Sequence, residues 1–262
     1  MAIRIYQVDA FADELFHGNP AAVCPLESWL PDETMQKIAM ENNLAETAFF
    51  VKENDRFRLR WFTPAVEVDL CGHATLATAY VLFEIDRFTG PLIEFDSRSG
   101  PLTVRRDGDR LTLDFPADSV VPVDLPAGLA EALGARPLEV YKGKTDYLLV
   151  FGSQAEIEAL APDFGLLGKI PARGIIVTAK GDEADFVSRF FAPQVGINED
   201  PVTGSAHTTL TPFWAERLGK SELEAVQLSK RRGRLWVKNL GKRVEISGHA
   251  RLYLRGEIEV EG

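Results

Sequence analysis

The feature that most constrains this chain is a segment that occurs twice. Arg60-Trp61-Phe62-Thr63-Pro64-Ala65-Val66 leads through acidic residues to Cys71-Gly72-His73-Ala74. Arg189-Phe190-Phe191-Ala192-Pro193-Gln194-Val195 leads in the same way to Thr203-Gly204-Ser205-Ala206. Proline to glycine is 8 residues in the first copy and 11 in the second, so the second carries a three-residue insertion. Gly72 and Gly204 lie 132 residues apart in a chain of 262, which reads as duplication of a unit of roughly 120 residues. Each copy reads as a strand, a proline-marked turn and a glycine that opens an apolar helix. The first helix continues through Tyr80-Val81-Leu82-Phe83 almost without charge, the pattern of a helix buried on every side. Its first N–H groups have no partner within the helix. Each helix start therefore offers an anion site, with glycine letting a ligand approach the backbone. Two units facing each other would aim both helix starts into one cleft.

The rest of the chain fits an α+β protein. Strands are expected over residues 3–11, 21–24, 44–51, 57–62, 93–95, 102–106 and 111–115, with a first helix over 31–41. Pro116 to Pro126, with three prolines, reads as a linker. The second half repeats the plan. It has short helices near 127–133 and 154–160, strands near 147–151, 174–178 and 186–191, and a helix after Gly204 that Pro212 should kink. Closing strands follow at 226–229, 234–238, 243–247 and 251–260. Each half reads as a strongly curved, mainly antiparallel sheet wrapped around its own apolar helix. The domains are expected at 1–116 and 117–262, with the home of the last strand left open between them.

Hydrophobic residues at 45% and charged residues at 26% match a globular protein. A formal net charge of -10 argues against nucleic-acid or anionic-membrane partners, which need concentrated Lys and Arg. The basic run Lys230-Arg231-Arg232-Gly233-Arg234 reads as a solvated hairpin turn. Cys24 and Cys71 are the two cysteines, too few for a disulfide framework, and a reducing cytoplasm is expected. The N-terminus lacks the pattern of a signal peptide, and no apolar run is long enough to span a membrane.

Glu46 is the most conspicuous polar residue. On strand alternation it shares a face with Leu44, Ala48 and Phe50, and a carboxylate there is costly unless paired or functional. It is either a strand-end residue reaching solvent or a partly desolvated general acid/base. His73 is either a helix-start residue satisfied by neighbours or a donor to a substrate oxygen, with the adjacent amides discouraging its protonation. Ser205 is either an N-cap or, with the N–H groups, a carboxylate binder. Asp200 could hold a ligand hydroxyl or amine, or cap its turn. Cys71 is either a small buried hydrophobe or a thiol whose pKa the helix start lowers. No dinucleotide, phosphate-loop or Ser-His-Asp spacing occurs, and no dense His/Cys cluster. Neither a cofactor nor a metal is expected.

Gly18-Asn19-Pro20-Ala21-Ala22-Val23, Asn43-Leu44-Ala45-Glu46-Thr47-Ala48, Trp61-Phe62-Thr63-Pro64, Cys71-Gly72-His73-Ala74-Thr75-Leu76-Ala77 and Glu199-Asp200-Pro201-Val202-Thr203-Gly204-Ser205-Ala206-His207 together resemble the PhzF (phenazine-biosynthesis) family over nearly the full length. The resemblance implies a diaminopimelate-epimerase-like fold: two pseudo-symmetric domains, each a barrel-like sheet around a central helix, with the site between them. It also implies a homodimer and a cofactor-independent isomerase acting on a small carboxylic acid. In the family's phenazine isomerase a Glu moves a proton between carbons, a role the motif carries onto Glu46. His73 and Asp200 would join it in catalysis, with Gly72, Gly204, Ser205 and Cys71 binding substrate. The related racemases use a Cys before each glycine. Here the second stretch has no thiol, which disfavours two-thiol racemisation. The alternatives are a racemase with Cys71 as one base, or a small-acid-binding protein without turnover.

Overall fold

The computed structural model describes residues 1–260; residues 261–262, the end of the expected second domain, lie outside the described residues. The chain divides into two compact units: Met1–Asp114 together with the segment from Ser247 on, and Phe115–Ile246. The second unit is thus inserted in the first rather than following it over 117–262.

In chain order, the elements to residue 116 are β1 (Ala2–Ala10), β2 (Asn19–Leu26), α1 (Asp32–Asn42), β3 (Glu46–Glu53), β4 (Arg56–Phe62), β5 (Glu67–Val68), α2 (Gly72–Tyr80), β6 (Leu92–Ser97), β7 (Gly100–Asp107) and β8 (Arg110–Pro116). They are followed by β9 (Val121–Pro122), α3 (Leu129–Leu133), β10 (Glu139–Lys142), β11 (Asp146–Val150), α4 (Gln154–Ala159), α5 (Phe164–Leu167), β12 (Gly174–Lys180) and β13 (Phe186–Phe191). Then come α6 (Gly204–Leu218), β14 (Glu222–Gln227), β15 (Gly233–Asn239), β16 (Arg243–Gly248) and β17 (Ala250–Glu259). The expected plan omits β5, β9, β10 and α5, all of them two to four residues long. So few residues cannot show a hydrophobic period.

In the first unit β17 pairs antiparallel with β1, β1 antiparallel with β2, β2 parallel with β3, β3 antiparallel with β4, and β4 parallel with β6. Antiparallel β7 and β8 complete the run. A parallel join needs a crossover, not a hairpin. The chain supplies one by α1 between β2 and β3, and another by α2 between β4 and β6. Helix α1 buries Met35, Ile38 and Ala39, and Asn43 ends it in the left-handed conformation at φ 49°. Helix α2 touches β1, β2, β3, β7 and β17, strands from near both ends of the run, so the sheet curls round it. Small residues make that possible: Ala74, Ala77 and Ala79 are fully buried. The buried hydroxyls of Thr75 and Thr78 are satisfied by donating back to the carbonyls of Cys71 at 2.6 Å and Ala74 at 2.8 Å. Past Tyr80 the helix widens into a π-turn over Val81–Ile85, closed by Asp86 N–H donating to the Val81 carbonyl at 3.0 Å. Arg60 grips Glu67 with two hydrogen bonds of 2.7 Å and lies over the Phe62 ring, clamping the turn that leads to α2.

In the second unit β9 pairs antiparallel with β10, β10 antiparallel with β11, β11 parallel with β12, β12 antiparallel with β13, β13 parallel with β14, and β14 antiparallel with β15. Here α4 and α5 lie in the first crossover and α6 in the second. From β10 to β15 the joins follow the same order as those from β1 to β7. The clamp recurs as well: Arg189 donates to Glu199 at 2.7 and 3.1 Å and lies over Phe191. Pro212 sits inside α6 and leaves the Thr208 carbonyl without a helical donor. Asp118 N–H donates to that carbonyl at 3.1 Å. Trp214 anchors α6 by stacking on Phe186 and donating to the Thr178 hydroxyl at 2.9 Å. Among the described residues no helix is long and apolar enough to cross a membrane.

His207 is fully buried on α6, its Nδ1 2.8 Å from the Thr203 carbonyl. Burial pushes its pKa down to about 4, with that carbonyl opposing the shift. The unfolded chain takes up the proton near pH ~6.5, well before the folded one does. Stability from this site is complete above that pH and is lost as pH falls toward 4, by up to about 3 kcal/mol. His207→Gln should flatten this part of the stability profile, measured by urea unfolding at a series of pH values. An unchanged slope would remove His207 as its source.

Candidate active site

Strand order brings three chain segments to one end of the first sheet. Glu46 opens β3 and is level with Ala21, two residues into β2 from Asn19. Because β3 runs antiparallel to β4, Thr47 pairs with Phe62 at the end of β4, where the chain leaves for α2. Asn19, Glu46 and the Cys71-Gly72-His73 helix start therefore meet. His73 Nε2 lies 3.0 Å from Glu46 Oε2, with the two side chains only 7% and 12% exposed. Asn19, fully buried, places its side-chain amide 3.2 Å from His73 Nδ1. Cys71 Sγ is 3.5 Å from the same nitrogen. The sequence shows Asn19 only as part of a turn motif. Its contact with His73 joins residues 54 apart and leaves no local signal.

The charges in this cluster oppose two of the expectations. Burial alone would drive the His73 ring toward neutrality, but the Cys71 sulfur and the Glu46 carboxylate overcome it and raise its pKa well above the ordinary value. Burial and the Glu46 charge push the Cys71 thiol up, against the pull of His73. Cys71 is thus a buried thiol with a raised pKa, not one activated by its helix start. The raised pKa of His73 opposes the expectation of a ring kept neutral at the helix start. The Asn19 amide suits either state of the ring. Its NH2 donates to a neutral Nδ1, and turned end for end its oxygen accepts from a protonated one.

The donor atoms of Glu46, Cys71 and His73 lie within 4.8 Å of one another, a convergence hidden by the 25 residues between Glu46 and Cys71. Thiolate, imidazole and carboxylate are zinc-type ligands. Taking a cation here would require the thiol to ionise against its raised pKa and the Glu46–His73 contact to open. Proton transfer needs neither. No side chain caps α2, so its first amides lie beside this cluster. Glu67 belongs to the Arg60 and Arg98 ion pairs, and Asp69 is exposed.

In the second unit Asp200, Gly204 and Ser205 stand together at the start of α6. Thr203, not Ser205, is the N-cap, and it makes no side-chain cap. Its hydroxyl donates instead to Asp200 Oδ2 at 2.6 Å. Gln227 pins the approach, donating to the Asp200 carbonyl at 2.7 Å and accepting from Thr203 N–H at 2.9 Å. Ser205 is exposed, and its hydroxyl accepts from both terminal nitrogens of Arg173 at 3.1 Å. Arg173, missed in the sequence, is held by buried Asp146 and brings a cation to a helix start that already favours anions.

Fold and site define a mixed α+β protein built on strands around buried helices, with a buried Glu–His contact at one helix start. The same fold occurs in a predicted epimerase from Pseudomonas aeruginosa. That structure superposes with a TM-score of 0.74 at 21% identity, covering 99% of this chain and all of the other. A crystal structure of a PhzF-family phenazine biosynthesis protein from Enterococcus faecalis superposes with a TM-score of 0.97 at 47% identity, again over 99% of this chain and the whole of the other. An uncharacterised isomerase of Pseudomonas aeruginosa is 57% identical over 99% of this chain and its own full length. The model of the phenazine biosynthesis-like proteins matches residues 8–256. The chain belongs to this PhzC-PhzF family and is an enzyme of its isomerase class.

Replacing Asn19 by Ala should cost about 1–3 kcal/mol, because the buried His73 Nδ1 loses its amide partner and is left with the Cys71 sulfur at 3.5 Å. Urea midpoints for the two proteins measure it. Equal midpoints would mean that the contact contributes nothing.

Proposed function

We propose that this enzyme moves a proton between two positions of a small carboxylic acid without a cofactor, with Glu46 as the carrier. The observation that carries this reading is the buried 3.0 Å contact between Glu46 and His73 at the uncapped start of α2. In the proposed cycle the Glu46 carboxylate takes a proton from a substrate carbon, whose electrons delocalise toward an adjacent acceptor group. The same carboxyl then returns that proton at another position. His73 holds Glu46 in place and donates to a substrate oxygen. Gly72 and Cys71 supply small surfaces that let the ligand reach the α2 amides. In the second unit the reading gives Asp200 a substrate hydroxyl or amine, and gives Gly204 and Ser205 a carboxylate. The recurring Arg–Glu clamp and the recurring order of strand joins support descent of the two units from one pseudo-symmetric ancestor. Two free, buried cysteines suit a reducing compartment, the cytoplasm.

Wild-type enzyme incubated with small carboxylic acids in deuterated water should exchange carbon-bound hydrogen. Glu46→Gln should lower that rate by about 100-fold or more while ligand binding largely survives. Exchange within a few-fold of wild type in the variant removes Glu46 from the mechanism. Binding without exchange by the wild type would identify a binding protein.

The contact of Cys71 Sγ with the His73 ring at 3.5 Å favours a second reading, in which a thiolate–imidazolium pair makes Cys71 a racemase base. Under the Glu46 reading, Cys71→Ser retains exchange within a few-fold of wild type. Complete loss in a folded protein would promote Cys71, since a serine hydroxyl is a far weaker base than a thiol.

A further inference from the structure

Arg173 sits in a seat made by three neighbours. It immediately precedes β12, and Asp146 at the head of the adjacent β11 stands level with Gly174. The Asp146 carboxylate, only 5% exposed, accepts from Arg173 Nε at 2.9 Å and also from Nη2. The guanidinium lies over the Phe190 ring, 5.4 Å from its centre. Gly174 makes the arrangement possible, since a Cβ there would come within 2.2 Å of the Phe190 ring and 3.1 Å of Asp146 Oδ1. A planar fork tied to a buried carboxylate and laid on an aromatic face has little freedom left to lose.

The far end of that fork is spent on one atom. Nη1 and Nη2 both donate to Ser205 Oγ at 3.1 Å. A hydroxyl oxygen has two lone pairs and one hydrogen. With both lone pairs turned to the fork, the hydrogen points away from Arg173. Among the described residues the Ser205 hydroxyl makes no other hydrogen bond, and the residue is exposed. Donation from a cation also polarises the O–H bond and strengthens it as a donor. We propose that Arg173 is a positioning residue that fixes Ser205 as an obligate hydrogen-bond donor. Ser205 thereby selects a ligand group that only accepts, a carboxylate, over one that also donates, an amide. This rests on the reading that Gly204 and Ser205 receive the substrate carboxylate. Asp146 offsets much of the Arg173 charge, so the discrimination comes from the direction of the hydroxyl.

Benzoate and its neutral counterpart benzamide are the probes, with binding followed at the Gly204 and Ser205 backbone amides by NMR titration. The wild type should prefer benzoate, and Ser205→Ala should weaken benzoate about tenfold, the loss of one charge-assisted hydrogen bond. Arg173→Lys keeps a cation beside Asp146 but lacks the fork that fills both lone pairs of Ser205. It should weaken benzoate about fivefold or more and reduce the preference over benzamide. In the Ser205→Ala background the same lysine change should matter by less than about twofold, because Arg173 acts through the hydroxyl. Asp146→Asn loosens the seat without touching Ser205 and should reduce the preference as well, which keeps the test open if the lysine variant does not fold. An Arg173→Lys effect of equal size in both backgrounds means that Arg173 meets the ligand itself, and overturns the proposal. So do folded Arg173→Lys and Asp146→Asn variants that discriminate as the wild type does; in either case the carboxylate reading of Ser205 stands. A wild type that binds neither probe there, or a Ser205→Ala variant that binds benzoate equally well, overturns that reading and the proposal together.

Discussion

Two strands running in the same direction cannot be joined by a tight turn, and most of this structure follows from that restriction. After β4 the chain must travel back along the sheet before it can enter β6. The return path is α2, small and apolar enough to be enclosed by strands. A helix used this way begins at the end of the strand it follows, with its free amides pointing out of that end of the sheet. The parallel join of β2 to β3 brings the first residues of both strands to the same place. The meeting of Asn19, Glu46 and His73 is therefore a product of strand direction.

Burial then decides the chemistry of what has met. An isolated carboxylate in such a place would be strongly disfavoured, and so would an isolated imidazolium. Each makes the other tolerable, with Asn19 adding a partner that fits either protonation state of the ring. Burial also governs the third group. Together with the charge of Glu46 it raises the pKa of the Cys71 thiol, although a helix start would lower the pKa of an exposed cysteine.

Some of this was legible in the chain. Glu46 stood out because a carboxylate on an apolar strand face demands an explanation, and the two Gly helix starts stood out because they repeat. The fully enclosed character of α2 could be read from its composition. Asn19 could not be recognised as a neighbour of His73, since only the β2–β3 register brings them together. Ser205 looked like an N-cap because serine is favoured there, but the N-cap is Thr203, two residues earlier, and the Ser205 hydroxyl goes to Arg173. Nothing near Arg173 in the sequence announces that partner. Strand β10 and helix α5 are too short to carry a period, and the return of the last strand depends on pairing across almost the whole chain.

That return has a consequence for the order of events during synthesis. Strand β1 comprises residues 2–10, and its outer neighbour comprises residues 250–259. Translation of the entire second unit intervenes between them. Until β17 leaves the ribosome, β1 carries an unpaired edge and α2 lacks one of the strands that enclose it. The second unit, by contrast, has all of its own strands before β17 has been made. A nascent chain of this protein thus carries β1 open on one side throughout translation of the second unit, until β17 emerges to cover it.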